Sequence, residues 1–251
     1  MKICLAQIKP TSGDIAYNLA RHEKFISQAI QEKADLVVFP ELSLTGYEPT
    51  MAKELATSVD DIRLDGLQKV SDENKIIICF GLPVHSNQGI FIGMVIIQPN
   101  MRRELYSKKY LHPDEEPFFL PGINNKIGIV YHNTTIAFAI CYELSIQEHS
   151  IHAFQSGANY YLASVAKTAN GVDRASDTLA EIANKNSALV MMVNCVGFCD
   201  AVVCAGRSSV WNRRGELIGQ LNEVDEGLLL VDTDAMIVNL KIFSPITFEI
   251  S

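Results

Sequence analysis

Apolar residues fall in short unbroken runs along the chain, at 3–8, 36–39, 76–84, 94–97, 135–140, 160–163 and 189–193. Several of these runs are apolar at consecutive positions, which predicts strands covered on both faces. Two later runs, 208–211 and 228–231, read as half-exposed strands. Helical spacing appears between the runs. Ile15, Leu19, Ile26, Ala29 and Ile30 share one face of a predicted helix, with Asp14 placed to cap its N-terminus. Ala175, Leu179, Ile182 and Ala183 mark a second helix, and a third is predicted over 146–155. Strands alternating with helices predict a layered α/β fold, and the extra strand pairs predict a mixed sheet. No internal repeat, biased segment or linker interrupts the pattern, so residues 1–251 read as one domain.

The composition changes this picture little. With 48% hydrophobic and 20% charged residues among 251, the chain is core-forming, and at this size it can bury about three quarters of its unfolded surface. A net charge of −8 excludes the basic face that nucleic acid or an anionic membrane would require. No apolar run reaches membrane-spanning length, and Gln7, Lys9 and Pro10 break any signal-like segment, so a cytoplasmic protein is expected. Six cysteines in a chain this long do not form a disulfide framework. Cys79, at the end of an apolar run, reads as a small core residue. Cys195, Cys199 and Cys204 lie in apolar sequence without a paired Cys-x-x-Cys, and no metal is expected there.

Three segments carry chemistry. In the first, the strand at 36–39 meets Pro40, which stops a ladder, and Glu41 follows. Ligands of α/β sheets bind beyond the carboxyl ends of strands, so Glu41 reads either as a site carboxylate or as a helix cap. The second strand, 136–140, ends in Cys141-Tyr142-Glu143 before the predicted helix. A strand-to-helix turn exposes a nucleophile and aims backbone N–H groups at an oxyanion, while the alternative is a core thiol like Cys79. An ordinary thiol is only a few per cent ionised at neutral pH, so a nucleophile here needs a base and a cation. The third segment brings Lys108 and Lys109 into a loop ending Phe118-Phe119-Leu120-Pro121-Gly122. If the strand runs through both lysines, Glu104, Tyr106 and Lys108 share one face and Lys109 lies on the other.

In this order the three segments resemble the nitrilase superfamily of carbon–nitrogen hydrolases. The matching residues are Phe39-Pro40-Glu41, Tyr106-Ser107-Lys108-Lys109-Tyr110-Leu111 and Cys141-Tyr142-Glu143, supported by Thr45-Gly46-Tyr47, Asn194-Cys195-Val196-Gly197 and Gly206-Arg207-Ser208-Ser209. The resemblance implies a four-layer α-β-β-α sandwich of two mixed sheets, and a homodimer that extends it to eight layers. It implies Glu41 as general base, Cys141 as nucleophile, and Lys108 with the Tyr142 backbone N–H as oxyanion stabilisers. A second carboxylate is implied before the aromatic pair, matched by Glu115 with Glu116 adjacent. No cofactor is implied, and the expected partner is a small amide-like substrate. Departures follow Cys141, where the family's stretch continues toward Arg and Pro but this chain reads Leu144-Ser145-Ile146-Gln147-Glu148, and at Tyr110 and Lys185.

The expected reaction is therefore hydrolysis of a small amide through a Cys thioester. Nitrile and N-carbamoyl hydrolysis use the same residues, and a silent scaffold is the alternative from another class. Loops after Glu41, between Lys108 and Gly122, and over 166–173 are expected to line the pocket, with Tyr47, Phe118 and Lys167 available. The apolar tail, 235–248, needs a covering surface.

Overall fold

The computed structural model describes residues 1–123, 126–200 and 202–243. The chain begins with β1 (Lys2–Gln7), helix α1 (Ile15–Gln31), β2 (Leu36–Val38), and helices α2 (Ala52–Leu55) and α3 (Asp65–Asn74). β3 (Ile77–His85), β4 (Ile90–Ile97) and β5 (Glu104–Ser107) follow. The second half opens with β6 (Gly128–Tyr131), β7 (Thr134–Ile140), α4 (Gln147–Gln155), β8 (Tyr160–Val165), α5 (Ala169–Asn186) and β9 (Leu189–Asn194). A small hairpin, β10 (Val196–Cys199) and β11 (Val202–Ala205), precedes β12 (Ser209–Trp211) and β13 (Leu217–Gln220). The chain then returns to the first sheet with β14 (Gly227–Asp232) and β15 (Ile237–Ile242).

The first sheet has the order β15-β14-β1-β2-β3-β4-β5 and the second β13-β12-β9-β8-β7-β6. Both are mixed. β1, β2 and β3 are parallel, as are β7, β8 and β9, and the flanking strands are antiparallel. Period-two alternation builds the layers. Ile3 and Leu5 pack with Phe138, Met191 and Val193 between the sheets, whereas Cys4 and Ala6 pack outward with Phe25 and Ile26 of α1. On the far side, Ala163 and Val190 meet Val172, Ala175 and Leu179 of α5. The result is the expected four-layer α-β-β-α sandwich.

Local signals explain several elements. Asp14 caps α1, its carboxylate accepting from the Tyr17 N–H, and Thr168 caps α5 in the same way through Gly171. Two expectations are corrected. The buried stripe of α1 centres on Asn18, His22, Phe25 and Ala29, with Ile15, Leu19 and Ile30 at its margins. His22 is tolerated there because both ring nitrogens are partnered, by the Asn18 carbonyl and the Ser43 hydroxyl. The late strands are not half-exposed either. β12 is buried throughout, and β14 is flanked by β1 and β15, with Leu228, Leu229 and Val231 buried. β15 does expose Ile237, Leu240 and Ile242. Met236 and Val238 pack against the core and Phe243 is buried, and residues 244–248 of the tail, including Phe248, lie outside the described residues.

Candidate active site

Glu41 follows the end of β2. The Phe39 N–H still donates to the Cys79 carbonyl, and Pro40 then ends the ladder because it has no N–H to give. The chain turns sharply through Leu42, which has φ 50°. Gly81 of β3 lies directly under this turn: a Cβ there would stand 2.2 Å from the Leu42 nitrogen. The Leu44 N–H donates to the Gly81 carbonyl (3.0 Å). Across the sandwich, the Ser164 hydroxyl at the end of β8 donates to the Phe39 carbonyl (2.9 Å), which fixes the turn to the second sheet.

Lys108 lies one residue past β5. Its N–H still reaches the Ile92 carbonyl and its carbonyl accepts from the Gly122 N–H, so strand geometry persists through Lys108 and ends there. The expectation that the strand runs through both lysines is corrected to this extent. Lys108 is fully buried and Lys109 is exposed. The Lys108 ammonium donates to Glu41 Oε1 (2.7 Å) and to Glu115 Oε1 (2.6 Å). Glu115 is buried and is held further by the Tyr47 hydroxyl (2.9 Å) and the His112 N–H (2.8 Å). Glu116 is exposed, so Glu115 is the carboxylate that meets Lys108.

Cys141 follows β7 with φ 44° and opens a one-turn 3₁₀ helix over Cys141–Ser145. This left-handed residue provides the sharp strand-to-helix turn. The Tyr142 N–H comes next, beside the thiol. Cys141 is half-buried. Sequence reasoning gave no role to Glu143, yet it anchors this turn. It is fully buried and accepts from the Ile140 N–H (2.8 Å), the Lys109 N–H (2.6 Å) and the Tyr106 hydroxyl (2.8 Å). It thus joins the cysteine turn to the lysine segment. Because Tyr106 donates to Glu143, its oxygen accepts from His149 Nε2, whose Nδ1 accepts in turn from the Tyr161 hydroxyl. The carboxylate beside the cysteine was the available signal, since a buried acid needs donors around it.

The electrostatics follow from burial and from charges held together. Burial pushes Glu41 up to about 6, against the downward pull of Lys108. Burial would lower Lys108, but the carboxylates of Glu41 and Glu115 beside it outweigh burial, raise its pKa and hold the ammonium charged. Burial, then the Glu41 charge, pushes the Cys141 thiol up to about 11, with Lys167 and Lys108 opposing. Glu41 Oε2 is buried and has no hydrogen-bond partner among the described residues, and the Cys141 thiol is close enough to act on the same carboxylate. An ionised acceptor therefore lies beside a protonated thiol at neutral pH, with a fixed cation against the acceptor's other oxygen.

Beside Tyr142 a cleft of about 460 Å³ is lined by Lys109, Tyr110, Leu111, Glu116 and Phe119. These belong to the loop expected to border the pocket. Phe118 is exposed on that loop, and Lys167 is half-buried. The Lys167 backbone is clamped by Asn194, which accepts from its N–H (2.9 Å) and donates to its carbonyl (3.0 Å). Cys195, Cys199 and Cys204, which lie in apolar sequence without a paired Cys-x-x-Cys, nevertheless converge: their sulfurs all lie within 4.8 Å of one another. Among the described residues no helix is long and apolar enough to cross a membrane.

Residues 2–241 match the carbon–nitrogen hydrolase family. An (R)-stereoselective amidase from Pseudomonas sp. is 25% identical over 93% of this chain and 85% of its own length. The glutamine-dependent NAD(+) synthetase of Aquifex aeolicus is also 25% identical over 93% of this chain, which spans only 42% of that protein. Among solved structures, an amidase from Nesterenkonia sp. AN1 superposes with a TM-score of 0.84 at 23% identity, covering 94% of both chains, and carries acrylamide added at its active-site cysteine. A cysteine-to-alanine form of that amidase, with a TM-score of 0.83 at 23% identity over 94% of this chain and 91% of its own, is in complex with butyramide. These likenesses show the fold.

Proposed function

We propose that this chain, which belongs to the carbon–nitrogen hydrolase family, hydrolyses a small amide to an acid, releasing ammonia or an amine through a thioester on Cys141. The observation that carries this reading is the buried Glu41 carboxylate, with Lys108 bound to Oε1 and Oε2 left without a partner among the described residues, close enough to Cys141 for each group to act on the other. Glu41 accepts the thiol proton as sulfur attacks the carbonyl carbon. Negative charge then develops on the substrate oxygen, where the Lys108 ammonium and the Tyr142 N–H stabilise it. Glu41 returns the proton to the departing nitrogen and later takes one from the water that hydrolyses the thioester. Glu115 holds the ammonium in place throughout.

The (R)-stereoselective amidase and the butyramide-bound Nesterenkonia amidase support an amide over a nitrile or N-carbamoyl substrate. A silent scaffold is disfavoured by the cost of a buried Lys with two carboxylates, which a purely structural core would not require. Mass spectrometry after exposure to fluoroacetamide, with ammonia release from a panel of small amides, nitriles and carbamoyl compounds, tests the reading. A single adduct on Cys141 and turnover of amides are expected. Turnover of nitriles alone, or an adduct on another cysteine, would overturn it. The exposed apolar side chains of β15 further support a homodimer, which a purely monomeric sedimentation profile at micromolar concentration would exclude.

A further inference from the structure

We propose that Cys195, Cys199 and Cys204 form a three-coordinate, all-sulfur site for a soft metal ion of the Cu(I) class, beside the Cys141 centre and made of different residues. The hairpin explains why the thiols converge. Cys204 pairs with Gly197, and Cys199 with Val202. Side chains alternate along each strand, and cross-strand partners share a face. Phe198 pairs with Val203 and both are exposed, so Cys199 and Cys204 fall on the opposite, inward face. Cys195 ends the preceding segment and reaches the same point, its sulfur 3.3 Å from that of Cys199.

The donor set selects the ion. All three cysteines are buried, packed only by Tyr47 and Ala166 among partly buried apolar neighbours. Among the described residues no His, Asp or Glu contributes a further donor to the group. A metal–thiolate bond of about 2.3 Å puts the sulfurs of a trigonal site roughly 4 Å apart, within the span observed. Zinc takes four ligands in structural sites, whereas an all-thiolate set suits Cu(I). Binding would displace thiol protons to solvent, with no change in the oxidation state of sulfur or metal.

The test uses the reduced full-length chain carrying Cys141→Ser, which removes the reactive thiol, titrated anaerobically with Cu(I) against a chromophoric chelator. One equivalent should be withdrawn from the chelator, with a new thiolate-to-copper absorption in the near ultraviolet. Cys195→Ser, Cys199→Ser and Cys204→Ser should each weaken the affinity at least 100-fold, with circular dichroism confirming that each variant is folded. Failure of the parent to compete for Cu(I), or full binding by a folded Cys204→Ser variant, would overturn the site. A two-dalton mass loss from a Cys195–Cys199 disulfide under mild peroxide, without Cu(I) uptake by the reduced chain, would equally overturn it.

Discussion

The two turns that carry Glu41 and Cys141 occupy equivalent places, at the carboxyl ends of parallel strands in facing sheets, yet they are held by different means. The Glu41 turn is held mainly by backbone, with the Ser164 hydroxyl tying it to the second sheet. Pro40 ends the ladder, Leu42 is left-handed, and Gly81 lets the chain come within contact of β3. The Cys141 turn is held by a side chain, because Glu143 gathers donors from Ile140, Lys109 and Tyr106. The difference matches the tasks. In the proposed reaction Glu41 has to stay at one distance from two reacting centres, and a backbone clamp leaves little freedom. The Cys141 turn is instead tied to the lysine segment, so thiol and cation keep their relation through one shared carboxylate.

Removing the chemistry itself gives the largest effect. Cys141→Ala should lower turnover by on the order of 10⁴-fold or more while thermal unfolding stays near the parent, since a half-buried thiol contributes little packing. Near-normal turnover in the folded variant would refute the nucleophile. Lys108→Ala should cost at least about 10²–10³ in kcat, and because it strands two buried carboxylates it should also destabilise the fold by about 3–5 kcal/mol. Lys109→Ala should remain within a few-fold, and steady-state kinetics on both variants decides which lysine acts.

The backbone clamp and the side-chain clamp can then be set against each other. Gly81→Ala drives a methyl into the Leu42 nitrogen, so Glu41 must move, and a displacement near 1 Å costs about 10²-fold. Glu143→Gln keeps the shape and one acceptor, leaving donors facing an amide, and should cost about 10-fold with a stability loss of about 1–3 kcal/mol. Kinetics and melting of the pair would break the comparison if Glu143→Gln proved the more damaging to turnover. The smallest effect is on pH. Glu41 must be ionised to accept a proton, and burial raises it to about 6. Activity should therefore be present above that value and fall as pH drops through it. A kcat/KM profile whose acid limb lies below pH 5 would contradict the base assignment.

Much of this was legible along the chain. Consecutive apolar positions in 136–140 and 189–193 predicted covered strands because burial on both faces leaves no polar alternation. Asp14 announced α1 because a side-chain acceptor at that point satisfies an N–H that the helix cannot. Glu41, Lys108 and Cys141 were readable as candidates because strand-ending residues and their neighbours repeat a family's pattern. The late strands were misread because β12 and β14 are buried by sheets and strands remote in sequence, which a local window does not contain. His22 on the buried face of α1 was missed for the same reason: its partner Ser43 is supplied by another element.

The sequence by itself determined the alternating elements, the caps and the residue types that could perform the chemistry, since these depend on local period and side-chain identity. The family pattern already pointed to Lys108 and Glu115, but only the tertiary structure brings the two together, at 2.6 Å. Lys108 and Lys109 differ by one position, and Glu115 and Glu116 by one, but alternation and packing bury the first of each pair and expose the second. It also decided that Glu143 anchors the Cys141 turn and that three separated thiols share one point. Those outcomes depend on distances between segments brought together by the two sheets, and a linear pattern holds no distance of that kind.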